Sequence, residues 1–402
     1  MQQPQSVALV SAGYPPYLSG GIDVQTYDLA HALSSEGVDV GVFCGGAKTP
    51  TLLRERENLT IFRMPMFDIQ PRVLWFQIQN FGLFKKALPN YDIVHTQHSS
   101  GSLYGLIKRK YGKPWVVSFH DHQLRRLRVF FDVKPWNLSS QDIAYYTMGA
   151  PVFELLTRME LRWADHYIAC GKSGLDDYVS FSNMNPAKTT LIPNGIDLDK
   201  INAILRSADK YEKPDDKHGL VIFTCGRLYA SKGIQYLLKA MPEVLKDHKN
   251  VQLRVFGRGP MHSHFQDMIR ALDLRDNVIL EGHVSYDRLI HEMSRSDIAV
   301  FPSMVEVGAS LAVMETMACR KPVIAFAYPF SMEIIEHENT GYLVTPKDVM
   351  GLSKAICLLL DDEKLRQKIG ENACQNIIRN HNYKDVVGEY LKVYSELMSN
   401  KN

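Results

Sequence analysis

A chain of 402 residues is long for one hydrophobic core and suits two domains of about 200 residues each. Hydrophobic residues at 45% and charged residues at 22% describe an ordinary globular protein and set aside the disordered and membrane-embedded classes. A net charge of +2 gives no global drive toward nucleic acid, and none is expected as a partner.

The first apolar run, 7–12, follows an N-terminus with no basic residue and stops at Gly13-Tyr14-Pro15-Pro16. It is too short for a signal peptide and reads as a β-strand. Further short runs follow at 38–44, 59–63, 93–95, 115–119, 166–170 and 189–192, with helical stretches at 23–36, 73–88, 103–111 and 152–163. Continuous apolar strands joined by helical crossovers predict a largely parallel sheet covered on both faces. The pattern breaks at the charged stretch 199–218, which reads as the interdomain connection. It resumes with strands at 220–225, 251–256, 278–281, 298–301, 323–326 and 342–344, then helices over 349–379. The expected architecture is α/β, two Rossmann-like doubly wound domains at 1–198 and 199–382 facing each other across a cleft. A last helix at 383–400 is expected to pack back on the first domain. The six cysteines are scattered without CxxC spacing, as buried free thiols in a reducing compartment would be.

Open α/β sheets bind ligands at the carboxyl ends of their strands, so the loops there carry the chemistry. After the first strand, Gly20 and Gly21 precede a helix. They allow either close backbone approach to a phosphate or sugar, or a turn needing positive φ. The strand 115–119 runs into His120-Asp121-His122. His120 is placed to hydrogen-bond a substrate group, whereas metal binding would require three adjacent side chains to converge from a loop. Pro193-Asn194-Gly195-Ile196-Asp197 reads as a turn. After the strand 220–225 comes Gly226-Arg227-Leu228-Tyr229-Ala230-Ser231-Lys232-Gly233. Its Arg227 and Lys232 suit a pyrophosphate, or are two solvated cations. Gly257-Arg258-Gly259-Pro260 permits a tight turn, but it is not GxGxxG and no P-loop lysine motif occurs, so neither a nicotinamide enzyme nor a Walker-type NTPase is supported. After the strand 298–301, Gly308 frees the loop backbone and Ser310 offers an N-cap for a helix whose first N–H groups favour an anion. Glu306 and Glu315 straddle that junction. They are ligands for neutral hydroxyls beside an anion site, or ordinary solvated acids.

Taken in order, the Gly20-Gly21 loop, His120-Asp121, Asn194-Gly195-Ile196-Asp197, Gly226-Arg227-Leu228 with Ser231-Lys232-Gly233, Gly257-Arg258-Gly259-Pro260 and the segment from Pro302-Ser303 to Glu315 resemble family 4 retaining glycosyltransferases of the GT-B fold. The resemblance spans nearly the whole chain. It implies transfer of a sugar from a UDP- or GDP-sugar to a hydroxyl of a glycan, lipid-linked or small-molecule acceptor, with retention, no metal and no cofactor beyond the nucleotide-sugar co-substrate. By the same resemblance Arg227 and Lys232 hold the pyrophosphate and stabilise the leaving group, with N–H groups of Gly308, Ala309 and Ser310 assisting. Glu315 takes the ribose hydroxyls and Glu306 the donor sugar. His120 stands near the sugar's reacting face, Gly20 and Gly21 let backbone approach the phosphate or acceptor, and Gly257 belongs to the donor side. The implied catalytic residues are therefore His120, Arg227, Lys232 and Glu306. The spacing of the acidic pair, with residues 307–314 between its members, is one residue longer than the family's, and Gly308-Ala309-Ser310 replaces its Gly-Phe-Gly.

Two segments of the first half are rich in aromatics, the first together with Met and the second together with arginines. One is 62–84, with Trp75, Phe76, Phe81 and Phe84; the other is 122–146, with Arg125, Arg126 and Arg128. They suit an acceptor glycan or a peripheral membrane contact through the N-terminal domain, at the cytoplasmic face, or else core packing with a solvated basic face. Two other readings remain: an epimerase or phosphorylase of the same fold, and a non-catalytic sugar-nucleotide-binding protein.

Overall fold

The computed structural model describes residues 3–17, 20–67, 69–120, 145–207, 219–304 and 310–400, with backbone alone at 145 and 146. These form two compact units. One comprises the described residues up to Gly195 and again from Tyr383 onward; the other comprises those of Ile196–Asn382.

The first unit contains β1 (Ser6–Ser11), α1 (Gly21–Ser35), β2 (Asp39–Ala47), β3 (Thr51–Arg56), β4 (Leu59–Pro65), α2 (Arg72–Ala87), β5 (Ile93–Gln97), α3 (Gly105–Tyr111), β6 (Trp115–Phe119), α4 (Ala150–Trp163), β7 (His166–Ala169), α5 (Lys172–Ser182) and β8 (Thr189–Leu191). Its sheet runs β3-β4-β2-β1-β5-β6-β7-β8 and is parallel except for β3, which pairs antiparallel with β4 at the edge. The second unit contains α6 (Leu198–Arg206), β9 (Val221–Cys225), α7 (Ile234–Asp247), β10 (Gln252–Phe256), α8 (His262–Ala271), β11 (Val278–Gly282), α9 (Tyr286–Arg295), β12 (Ile298–Phe301), α10 (Leu311–Ala318), β13 (Val323–Phe326), α11 (Pro329–Met332), β14 (Tyr342–Val344), α12 (Val349–Asp361) and α13 (Glu363–Asn380). Its all-parallel sheet runs β11-β10-β9-β12-β13-β14, the doubly wound order whose direction reverses between its first and fourth strands. The chain then returns to the first unit as α14 (Tyr383–Ser399).

The strands form because both of their faces are buried. β1 sends Val7 and Leu9 into one core, shared with α1 and α14, and Ala8 and Val10 into the other, shared with Phe43, Phe76 and Trp115. β9 does the same with Ile222 and Phe223. Such strands read as unbroken apolar runs. α14 is fixed by Tyr394, whose hydroxyl lies 2.6 Å from His95 Nδ1, while His95 Nε2 meets Ser118 Oγ at 2.8 Å. Burial pushes His95 down to about 3, so the imidazole is neutral and structural. Gly195 packs tightly at the join: a Cβ there would lie 3.1 Å from Tyr383 Cα.

One expectation changes. The stretch beginning at residue 199 is not all connection, because Leu198–Arg206 is α6, capped by Asp197 accepting from Lys200 N–H at 2.9 Å. Ile201 and Ile204 lie on one face of the helix and are buried with Ile196 in the second unit's core. Of the charges in that stretch, Asp199, Lys200 and Arg206 belong to this helix. Residues 208–218 lie outside the described chain. Among the described residues no helix is long and apolar enough to cross a membrane.

Candidate functional site

The reversal of strand order in the second unit falls between β9 and β12, and the loops leaving those strands carry Arg227, Lys232, Ser303 and Ser310. Their backbones are bonded into one body. Gly226 N–H donates to Phe256 O at 3.0 Å, Leu228 N–H to Arg258 O at 2.9 Å, Gly257 N–H to Gly282 O at 2.7 Å and Met304 N–H to Ser231 O at 2.8 Å. This closeness dictates two glycines. Gly257 has φ +134° and a Cβ there would lie 1.9 Å from Gly226 O; Gly233 has φ +71° and its Cβ would meet Pro302 O at 1.8 Å. Packing of loop on loop is thus enough to require Gly257. Leu228, 1% exposed, plugs the first loop into the core between the two cations. Arg227 is exposed, with its guanidinium carbon 5.3 Å from the Tyr229 ring centre. Lys232 is half-buried, its alkyl chain 3.8 Å from where a Gly226 Cβ would stand.

α10 starts as expected after Ser310. Ser310 has the extended N-cap conformation without a side-chain cap bond. With Ser303, Phe301, Val313 and Phe330 it lines a small pocket. Glu315, in the second turn, is 6% exposed and its Oε1 accepts from the Tyr286 hydroxyl at 2.9 Å. It is not a solvated surface acid. Glu306, Gly308 and Ala309 lie outside the described residues, as do Asp121, His122 and the arginines 125, 126 and 128.

In the first unit α1 begins at Gly21, and the Asp23 carboxylate accepts from Gly20 N–H at 2.9 Å. Gly20 has φ −116° and Gly21 is absent from the positive-φ residues, so no left-handed turn demands either. Nothing lies within 4 Å of a Cβ placed on Gly21. Packing does not explain that glycine, and the expected close approach of a ligand is the reading to test. Gly21→Ala is therefore expected to leave stability within about 0.5 kcal/mol of wild type while cutting kcat/KM about tenfold or more, measured by thermal melting and initial rates on one preparation.

His120 follows β6, is 1% exposed, and its Nε2 lies 2.8 Å from Gln97 Oε1 at the end of β5. Gly174, at the start of α5, packs on the His120 carbonyl, where a Cβ would come within 2.7 Å. The neighbouring loop, with Ser99 at φ +60°, is held from below by Glu160 of α4. Its carboxyl accepts from Ser99 N–H at 3.0 Å and from the Ser102 hydroxyl at 2.8 Å. Burial pushes Glu160 up to about 8, against the opposing pull of those hydrogen bonds. The folded protein therefore keeps a proton that the unfolded chain has released above its ordinary value of 4.5. This contribution is full below that value and is lost as pH rises through about 8. Glu160→Gln, which cannot ionise, is expected to flatten the fall in melting temperature from about pH 5 to about pH 9.

Gln97, Glu160 and Tyr286 were not singled out from sequence. Glu160 left a trace, being an acid four residues after buried Leu156 on the same helix face. Tyr286 left a fainter one, as the first helical residue after the Ser285 cap.

Sucrose-phosphate synthase from Thermosynechococcus elongatus matches this structure with a TM-score of 0.80 at 21% identity, over 98% of this chain and 99% of that one. An Anabaena protein solved in complex with UDP-glucose matches with a TM-score of 0.72 at 19% identity, over 99% and 100% of the two chains. The two Rossmann-type units are those of the GT-B fold, the scaffold of a large class of sugar transferases. In sequence, residues 206–376 match the family described as glycosyl transferases group 1, and residues 19–200 match glycosyltransferase family 4. An uncharacterized glycosyltransferase of Methanocaldococcus jannaschii is 27% identical over 405 residues, 98% of each chain. The chain belongs to glycosyltransferase family 4 and is a retaining glycosyltransferase that uses nucleotide-sugar donors.

Proposed function

We propose that this enzyme moves a hexosyl group from a UDP- or GDP-sugar to a hydroxyl of a glycan, lipid-linked or small-molecule acceptor. The observation that carries the donor side is the bonded set of loops at the strand reversal of the second unit, which brings the Arg227–Lys232 loop against the segment leading into α10 and Glu315. Arg227 and Lys232 take the pyrophosphate and offset the charge that grows on the leaving nucleoside diphosphate, where fixed cations lower the barrier most. Ser310 and the N–H groups before it extend that role at the helix start. Glu315 accepts from the ribose hydroxyls and Glu306 from hydroxyls of the donor sugar. His120, steadied by Gln97, borders the reacting face of the sugar, and Gly20 and Gly21 admit phosphate or acceptor to the backbone. The leaving phosphate helps deprotonate the incoming hydroxyl on the same face, which requires no nucleophilic carboxylate.

UDP-glucose, present in the solved Anabaena relative, is the first donor to test, within a panel of UDP- and GDP-sugars. Nucleoside diphosphate release that is slow alone and accelerates with an acceptor supports transfer. Conversion of donor without acceptor would indicate an epimerase, and binding without turnover a sugar-nucleotide carrier.

Of the aromatics named in 62–84, Phe76 and Phe84 are core residues, so the acceptor side rests instead on exposed Phe67, Ile69, Ile78 and Leu83 on and before α2, close in sequence to exposed Lys85 and Lys86 at its last turn. Apolar side chains beside cations suit the cytoplasmic leaflet, where lipids are anionic. Co-sedimentation with anionic but not neutral vesicles is expected, and Ile69→Asp with Leu83→Asp should abolish it.

A further inference from the structure

Tyr286 opens α9 directly after Ser285, whose hydroxyl oxygen caps the helix by accepting from Arg288 N–H at 3.4 Å. Its phenol donates to Glu315 across 29 residues of sequence. The Lys200 ammonium, from α6, lies 4.6 Å from the centre of the same ring. The helix that carries Tyr286 is firmly seated. Glu292 on α9 pairs with Arg254 of β10, Arg254 Nε also donates to Glu281 at 2.7 Å, and Ile290 and Met293 are fully buried.

A carboxylate has about four lone-pair directions in one plane, and rotation about its terminal bond is soft. A hydrogen bond to one oxygen from a rigid donor therefore sets the plane in which the other directions lie. We infer that Tyr286 is a positioning residue that orients the Glu315 carboxylate toward the ribose diol of the donor nucleotide, with Lys200 steadying the phenol ring. The inference rests on the reading of Glu315 as the ribose ligand.

Calorimetric titration with UDP and with 2′,3′-dideoxy-UDP, or the guanosine pair if the protein prefers it, separates the two ideas. Wild type is expected to favour the ribose form about tenfold or more, and Tyr286→Phe to shrink that ratio to about threefold. Dideoxy binding should stay unchanged, while the melting temperature falls by a few degrees because the buried Glu315 carboxylate loses a donor. Lys200→Met should move the ratio the same way by a smaller factor. Glu315→Gln should lose most of the preference. If Glu315→Gln collapses the ratio but Tyr286→Phe weakens both nucleotides equally, or neither, the positioning role is overturned and Glu315 stands. If Glu315→Gln leaves the ratio intact, the ribose reading fails and the inference goes with it.

Discussion

Lys232→Ala is expected to lower kcat by on the order of 100-fold or more, with a melting temperature close to wild type. The size of the effect follows from the role proposed for the ammonium. Charge moves onto the leaving diphosphate as the glycosidic bond breaks, so a cation held there gains more in the transition state than in the bound donor. Its position is set by the loop and not by its own conformational preference: Leu228 is buried on one side, Gly233 is locked against Pro302 on the other, and Ser231 O accepts from Met304 N–H. The substitution removes none of those contacts, which is why stability should hold. Single-turnover rates with saturating donor isolate the chemical step. An unchanged rate in a folded variant would sink the assignment, and a rise in KM alone would reduce Lys232 to ground-state binding. Lys232→Arg is expected to recover only part of the rate, because a planar guanidinium does not fit where a point charge sits.

The strands were legible because parallel strands buried on both faces read as continuous apolar runs. Residues 115–119, 298–301, 323–326 and 342–344 were marked to the residue. β3 was not, since Thr51–Arg56 is exposed throughout on an antiparallel edge and has no apolar run to show. α6 reads as linker in the sequence because the dense charges at 209–217 that follow it mask the apolar spacing of Leu198, Ile201, Ile204 and Leu205. The expected site residues stood out as cations, acids and glycines at strand ends. Their supports did not, because Gln97 and His120, or Tyr286 and Glu315, are separated by 23 and 29 residues and meet only through the fold. Even a glycine can carry two meanings that sequence cannot part: the backbone of a neighbouring loop excludes a side chain at Gly257, whereas Gly21 faces open space.

That contrast gives the second large effect. Gly233→Ala is expected to destabilise the protein by about 2–4 kcal/mol and to weaken nucleotide binding at the same time. Two independent costs add. A left-handed φ of +71° disfavours any L side chain, and the new Cβ would stand 1.8 Å from the Pro302 carbonyl oxygen, a backbone atom that moves only if the loop after β12 moves. Relief of the clash requires parting that loop from the Arg227–Lys232 loop, which breaks the Met304–Ser231 hydrogen bond and shifts Lys232 relative to the start of α10. The variant should therefore lose melting temperature and donor affinity together, whereas Lys232→Ala loses rate with its melting temperature intact. Chemical denaturation alongside nucleotide titration on both variants reads the difference. A Gly233→Ala protein with wild-type stability would mean that the two loops are not locked as described, and the geometric basis for a pyrophosphate site at the strand reversal would fall with it.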